Sequence, residues 1–328
     1  MLEQTKRIEA LDIAKGIGII LVMIGHMTSS YLYNWIYSFH IPLFFILSGI
    51  CFNNTKYTSF LAFARQRIKT LAIPTLTLYL IILSIEKIIG LKGYDLLQQL
   101  KGVHPDYLWF LITLFFSELF YYPLAKLPVR LRILILFCFA SLGIFFARNH
   151  ITVFFDLTNV FFCTALYGLG NLVSPYIPSV LEFVKKRNKR IVFTSTTLFF
   201  TIPLLLVIIY NESFNLSVNQ IPEHTILYTL SAVGCSFAVI ILSTTIPFQS
   251  ILKFFGTNTL VLLAFHPLIS KLAWTYIHPF FHSHLLFKMI EITIVFLGSC
   301  AFIPIFNRYI PWAIGKKVTY RLKGQIYS

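Results

Sequence analysis

Apolar runs of roughly 17 to 25 residues recur from one end of this chain to the other, and no other feature limits its fold so tightly. At 1.5 Å per residue, each run can cross a hydrocarbon core about 30 Å thick as a helix that satisfies its own backbone where water is absent. The balance of residues agrees. Of 328 residues 57% are hydrophobic and only 12% charged, with a mean hydropathy of +0.77, outside the range of soluble domains. The chain is expected to be an all-α, polytopic integral membrane protein. Ten spans are placed at about 13–33, 36–52, 71–89, 107–125, 133–149, 157–174, 191–210, 225–246, 257–277 and 286–306. The second is short and is expected to tilt or sit partly re-entrant. No long linker or low-complexity tract interrupts the series, so residues 1–328 read as a single transmembrane domain without an appended soluble one.

Charge orients the spans. With the N-terminus inside, 21 of the 27 basic residues fall on inner segments, and only Lys87, Lys92, Lys101, Arg148, Lys271 and Lys288 fall outside or at outer helix ends. Both termini are therefore expected in the cytoplasm. The net charge of +15 is accounted for by membrane orientation and calls for no nucleic acid. The first run lacks a small-x-small cleavage site and contains a histidine, so it is expected to remain as a helix. The five cysteines, Cys51, Cys138, Cys163, Cys235 and Cys300, are scattered without CxxC spacing and read as packing residues.

Ionisable groups within apolar runs cost about 2.5 to 3.5 kcal/mol each at mid-bilayer, which makes each a candidate for function. They are few: Lys15 and His26 on the first helix, His40 on the second, Glu118 on the fourth, His266 on the ninth and Glu291 near the outer part of the tenth. Asp12 precedes Lys15 at a spacing that permits a local ion pair. The eleven residues from Lys15 to His26 turn the helix about 20° past three full turns, so both side chains share one face about 16 Å apart. Gly16, Gly18 and Gly25 keep that helix thin, open to a close neighbour or a ligand. A cation at one surface and an imidazole three turns deeper match an anionic ligand with a long reactive arm, such as acyl-coenzyme A. Its phosphates would meet Lys15 and the basic segment of Arg65, Arg67 and Lys69. A neutral imidazole at His26 would then take a proton from an acceptor hydroxyl, a role worth roughly 10² to 10⁴ in rate. Each residue also has a plainer reading: Lys15 as a snorkelling anchor, Arg65, Arg67 and Lys69 as orientation charges, and His26, His40, His266 and Glu118 as interhelical glue.

The residues also resemble a known family. Lys15, ten residues, then His26 is similar to the [Arg/Lys]-x10-His signature of the membrane acyltransferase-3 family, and "LDIAKGIGIILVMIGH" resembles its fucose 4-O-acetylase-like branch. "FHIPLFFILSG" (39–49), "RQRIKTLAIP" (65–74), "LWFLITLF" (108–115) and "GTNTLVLLAFHPLI" (256–269) resemble further blocks of that branch in the same order. The resemblance implies a multi-pass enzyme of the bacterial inner membrane, an O-acyltransferase engaged in polysaccharide modification. It would carry an acyl group from cytoplasmic acyl-CoA, acetyl-CoA foremost, to a glycan or lipid-linked sugar, with no permanently bound cofactor. By position it implies His26 as the catalytic histidine, Lys15, Arg65 and Arg67 as donor-handling residues, and His40, Trp109, Asn258 and His266 in matching blocks without assigned roles. Lysine at position 15 replaces the commoner arginine and loses its bidentate grip on phosphate. His278, His282 and His284 lie close together on an outer segment, but without an accompanying carboxylate cluster no metal is expected. Polysaccharide-biosynthesis proteins or a second copy of the chain are the expected protein partners. Two other functions compete: a proton-coupled exporter of a sugar or small molecule with Lys15, His26, Glu118 and His266 as its relay, and a non-catalytic scaffold.

Overall fold

The computed structural model describes residues 8–91, 109–151, 157–216 and 219–316, with the backbone of 321–322 and 325–326. Lys6, Arg7, Lys92, Lys101, Lys317 and Lys323, all used to orient the chain, lie outside the described residues. The described body is α-helical. Among the described residues seven helical stretches are long and apolar enough to cross a membrane: Glu9–Met27, Phe60–Ile88, Val129–Arg148, Leu157–Lys185, Lys189–Tyr210, Thr225–Leu242 and His284–Tyr309. An eighth is a broken pair, Gln249–Thr257 and Thr259–Tyr276, bent by 82°.

Two of the ten placed segments are not among these stretches, because among the described residues their helices are shorter. The segment placed at 36–52 folds as an 11-residue helix, His40–Ile50 (α3), preceded by the short Ser30–Tyr37 (α2); at 1.5 Å per residue α3 reaches only about half the hydrocarbon thickness. The segment at 107–125 is described from Trp109 on, as the 16-residue helix Trp109–Leu124 (α6). The first span ends at Met27 (α1, Glu9–Met27), and the chain restarts at Ser30 with a left-handed φ of 64°. The third begins earlier than expected, as Phe60–Arg67 (α4), whose N-terminus Ser59 caps by accepting from Ala62 N at 3.2 Å. A π turn at Ile68–Ala72 joins α4 to Ile73–Ile88 (α5) immediately before Pro74, which has no N–H to continue the ladder.

The other helices are Val129–Arg148 (α7), Leu157–Val173 (α8), Ile177–Lys185 (α9), Lys189–Phe199 (α10), Thr201–Tyr210 (α11), Thr225–Leu242 (α12), Gln249–Thr257 (α13), Thr259–Tyr276 (α14) and His284–Tyr309 (α15). Their exposure sorts them. In α1 67% of the span is buried in protein, whereas in α7 it is 11%, with Ile133, Leu134, Phe137 and Phe145 turned outward. The first helix is thus the central post and α7 faces lipid, which is as apolar as the core and does not drive such side chains inward. What admits neighbours to α1 is its glycines. A Cβ on Gly16 would collide with Leu252 O of α13, and one on Gly256 with Asp12 O of α1, so the two backbones touch. Gly18 receives Phe44 and Leu43 of α3, and Gly25 receives Ile36 and Tyr37 of α2.

Candidate active site

Where α1, α3, α6 and α14 fail to meet, they enclose a cavity of about 370 Å³. Along α1 it is lined by Asp12, Lys15, Ile19, Val22 and His26, spaced as one helical face. Opposite, Thr259, Leu260, Leu263, His266 and Pro267 supply one face of α14. Tyr37, His40, Ile41 and Phe44 close a third side, and Trp109, Phe110, Leu111 and Leu114 a fourth. The segment between α11 and α12 adds Asn215 and Leu216. It is pinned by Asn159 Nδ2, which donates to Leu216 O, and by Asn34, whose Nδ2 donates to Asn211 Oδ1 at 2.9 Å. A second, wider cleft of about 1180 Å³ lies at the start of α1, between Ile8–Leu11, Cys51–Asn54, Asn171 and α9. Asp12 and Lys15 line both spaces. Lys15 Nζ lies 3.7 Å from Cys51 Sγ on the wall of the wider one.

Three imidazoles face the inner cavity. His26 is exposed, but into the cavity, with protein on the remaining sides. Its ring lies 5.0 Å from that of His266 and 6.1 Å from that of Tyr37, and Tyr37 in turn lies 4.5 Å from His40. Two tautomers follow from backbone contacts. His266 Nδ1 is 2.8 Å from Leu262 O, and His40 Nδ1 is 2.9 Å from Ile36 O; a carbonyl only accepts, so each Nδ1 carries the proton and each Nε2 is left as the acceptor. His266 Nε2 is buried without a hydrogen-bond partner. Such a site offers proton acceptors in an apolar chamber, a tyrosine hydroxyl, and a cation at its entrance.

Residues 8–308 match the acyltransferase domain that defines the acyltransferase 3 family. The chain belongs to the acyltransferase 3 family. No curated protein and no solved structure matches it significantly. Membership makes the chain a multi-pass membrane acyltransferase.

Of the residues singled out from the acyltransferase's sequence, Asp12, Lys15, His26, His40, Trp109 and His266 come together on the inner cavity. Arg65, Arg67, Lys69, Glu118 and Asn258 do not line it. Arg65 and Lys69 are exposed on α4 and the π turn. Arg67 Nε sits 2.8 Å from Glu118 Oε2, and Tyr167 OH donates to Glu118 Oε1 at 3.5 Å, forming an ion pair between helices away from the chamber. Asn258 stands at the α13–α14 break. Its Nδ2 donates to Phe254 O at 2.9 Å, while its Oδ1 accepts from Asn307 Nδ2 at 2.9 Å and Lys316 Nζ at 3.1 Å, which ties the break to the end of α15. Glu291 is buried too, accepting from Ser270 Oγ, Trp274 Nε1 and Lys288 Nζ at 2.6, 2.9 and 2.9 Å. His278 stacks on Trp274, and among the described residues no group of three His, Cys, Asp or Glu side chains is arranged to hold a metal. Sequence reasoning missed Tyr37 and Asn215. Tyr37 lies three residues before His40, a helical spacing that could have revealed it, whereas nothing in a polar loop marks Asn215.

Proposed function

We propose that this acyltransferase moves an acyl group, acetyl foremost, from cytoplasmic acyl-CoA to a hydroxyl of a cell-surface or lipid-linked carbohydrate, with His26 as general base. The observation that carries this is that Lys15 lines both cavities, with His26 on the inner one. The wider cleft is roomy enough for the nucleotide end of the donor. Lys15 at its inner limit offers a charge contact to phosphate, and the narrower chamber beyond suits the pantetheine arm. His26 stands in that chamber about three helical turns further on. There it would take the proton of the acceptor hydroxyl as the oxygen attacks the thioester carbonyl. When the carbon–sulfur bond breaks, the same proton would pass to the departing thiolate, so that one residue serves as base and then acid. The apolar lining keeps out the water that would otherwise hydrolyse the thioester.

The excess of basic residues on alternate loops of the ten-span reading supports a cytoplasmic N-terminus, and the wide cleft would then open on the side where acyl-CoA is made. A bacterial inner membrane, and partners in polysaccharide assembly, fit a carbohydrate acceptor. Arg65 and Lys69 are kept as surface charges that attract the donor, not as residues of its inner path.

The test uses purified protein in lipid nanodiscs with labelled acetyl-CoA and a panel of glycans. His26→Ala is expected to lower turnover by roughly 10² to 10⁴. Lys15→Ala is expected to raise the donor KM with a smaller change in kcat. Turnover indifferent to His26→Ala would sink the general-base role.

A further inference from the structure

The His26 side chain, placed at the end of α1 with the chamber before it, has both ring nitrogens free of hydrogen bonds among the described residues. An imidazole that is to act as a base needs its tautomer fixed, because only the nitrogen without a proton accepts one. Its ring contacts are with Tyr37 and His266, and His40 lines the same chamber nearby. Of the two in contact, His266 has the suitable chemistry. Its Nδ1–H is committed to Leu262 O at 2.8 Å. The helix also leaves a neighbouring carbonyl without its usual donor. Residue 267 is proline and has no N–H to offer the carbonyl four residues earlier, which is Leu263 O. The ring cannot flip without losing its bond to Leu262 O, and Nε2 is held proton-free, buried and without a partner.

We propose that His266 is the positioning residue of His26: its Nε2 accepts the N–H of one His26 ring nitrogen and leaves the other bare toward the substrates. With each ring nitrogen about 1.1 Å from its ring centre, the 5.0 Å between centres leaves about 2.8 Å between facing nitrogens, a hydrogen-bond distance. A turn of the His26 ring about its own side-chain bonds closes the contact as the chamber fills. When His26 takes the hydroxyl proton, the bond to His266 becomes charge-assisted and steadies the imidazolium until the thiolate recovers that proton. His266 is preferred to His40 because it makes a ring contact with His26, at 5.0 Å, whereas the ring contact of His40 is with Tyr37. The proposal rests on His26 acting as the base.

Two substitutions separate positioning from packing. His266→Asn keeps an N–H for Leu262 O but deletes the acceptor at Nε2, whereas His266→Gln carries an amide oxygen out to that place. Release of free CoA from acetyl-CoA is measured on protein in nanodiscs, beside thermal unfolding. For His266→Asn, kcat is expected to fall roughly 10- to 100-fold, the loss of one hydrogen bond to an ionised group, with the donor KM within about twofold. His266→Gln is expected to regain most of it. In a His26→Ala background, His266→Asn is expected to cost nothing further, because its effect passes through His26. Equal loss in folded Asn and Gln variants, a raised KM at unchanged kcat, or a full additional loss in the His26→Ala background would overturn the proposal. Should His266→Asn not fold, a folded but inactive His266→Gln overturns it as well, and an active one supports it. Failure of the parent mechanism looks different: His26→Ala would then turn over like the wild type.

Discussion

At the scale of single residues, the same chemical type was put to opposite uses by its surroundings. Arg67 and Lys15 both read as anchors for phosphate, yet Arg67 is spent on Glu118 while Lys15 lines both cavities. A buried ion pair adds little net stability but is costly to break, because the surviving charge is left without a partner. Arg67→Ala is therefore expected to lose about 3 to 5 kcal/mol and to lower the unfolding temperature, while the double variant Arg67→Met/Glu118→Leu recovers much of it. Donor KM at permissive temperature should stay near the wild-type value in both. A KM raised in proportion to loss of charge at position 67 would return Arg67 to the donor path. The track from Lys15 to His26 was legible because helical geometry is local: eleven residues at a fixed turn bring two side chains to one face whatever surrounds them. The Arg67–Glu118 pair was not, since its partners lie on α4 and α6 and only packing sets their distance.

At the scale of elements, glycine decides which helices touch. The contact of α1 with α13 depends on Gly16 and Gly256, each of which has a backbone oxygen where a Cβ would stand. Gly256→Ala is expected to push α13 from α1 and displace Asp12 and Lys15, with a cost of about 1 to 3 kcal/mol or more and a weakened donor affinity. Gly234→Ala on α12 is the control. Its Cβ would meet only Phe199 at 3.6 Å, an ordinary contact, so stability measured by thermal unfolding should hold or rise slightly. The thinness of α1 was visible in its sequence, but which neighbour would use it was not. The broken pair α13–α14 was equally hidden. Hydropathy reads "GTNTLVLLAF" as the start of one span, and the 82° bend lies at Asn258, whose side chain accepts from Asn307 and Lys316, 49 and 58 residues further along the chain.

At the scale of the whole molecule, orientation and access are one question. Cys51 is exposed on the wide cleft beside Lys15, and it offers a native handle. In a protein whose Cys138, Cys163, Cys235 and Cys300 are replaced by alanine, a charged, membrane-impermeant maleimide is expected to label Cys51 only from the cytoplasmic face, and acetyl-CoA is expected to slow that labelling. Labelling from the outer face would invert the topology, and labelling indifferent to acetyl-CoA would remove the donor from the wide cleft. The sequence by itself determined that this chain lives in a membrane as helices, because twenty apolar residues in a row leave a backbone no other way to satisfy its hydrogen bonds there. It also determined the shared face of Lys15 and His26 and, through ordered motifs, the family. Only the tertiary structure decided that His266 stands beside His26, that Tyr37 and Asn215 line the chamber, and that Arg67 pairs with Glu118. The reason is one of range: helix geometry is fixed by neighbours along the chain, whereas a site assembled from α1, α3, α6 and α14 depends on packing between segments up to about 250 residues apart, which no local pattern encodes.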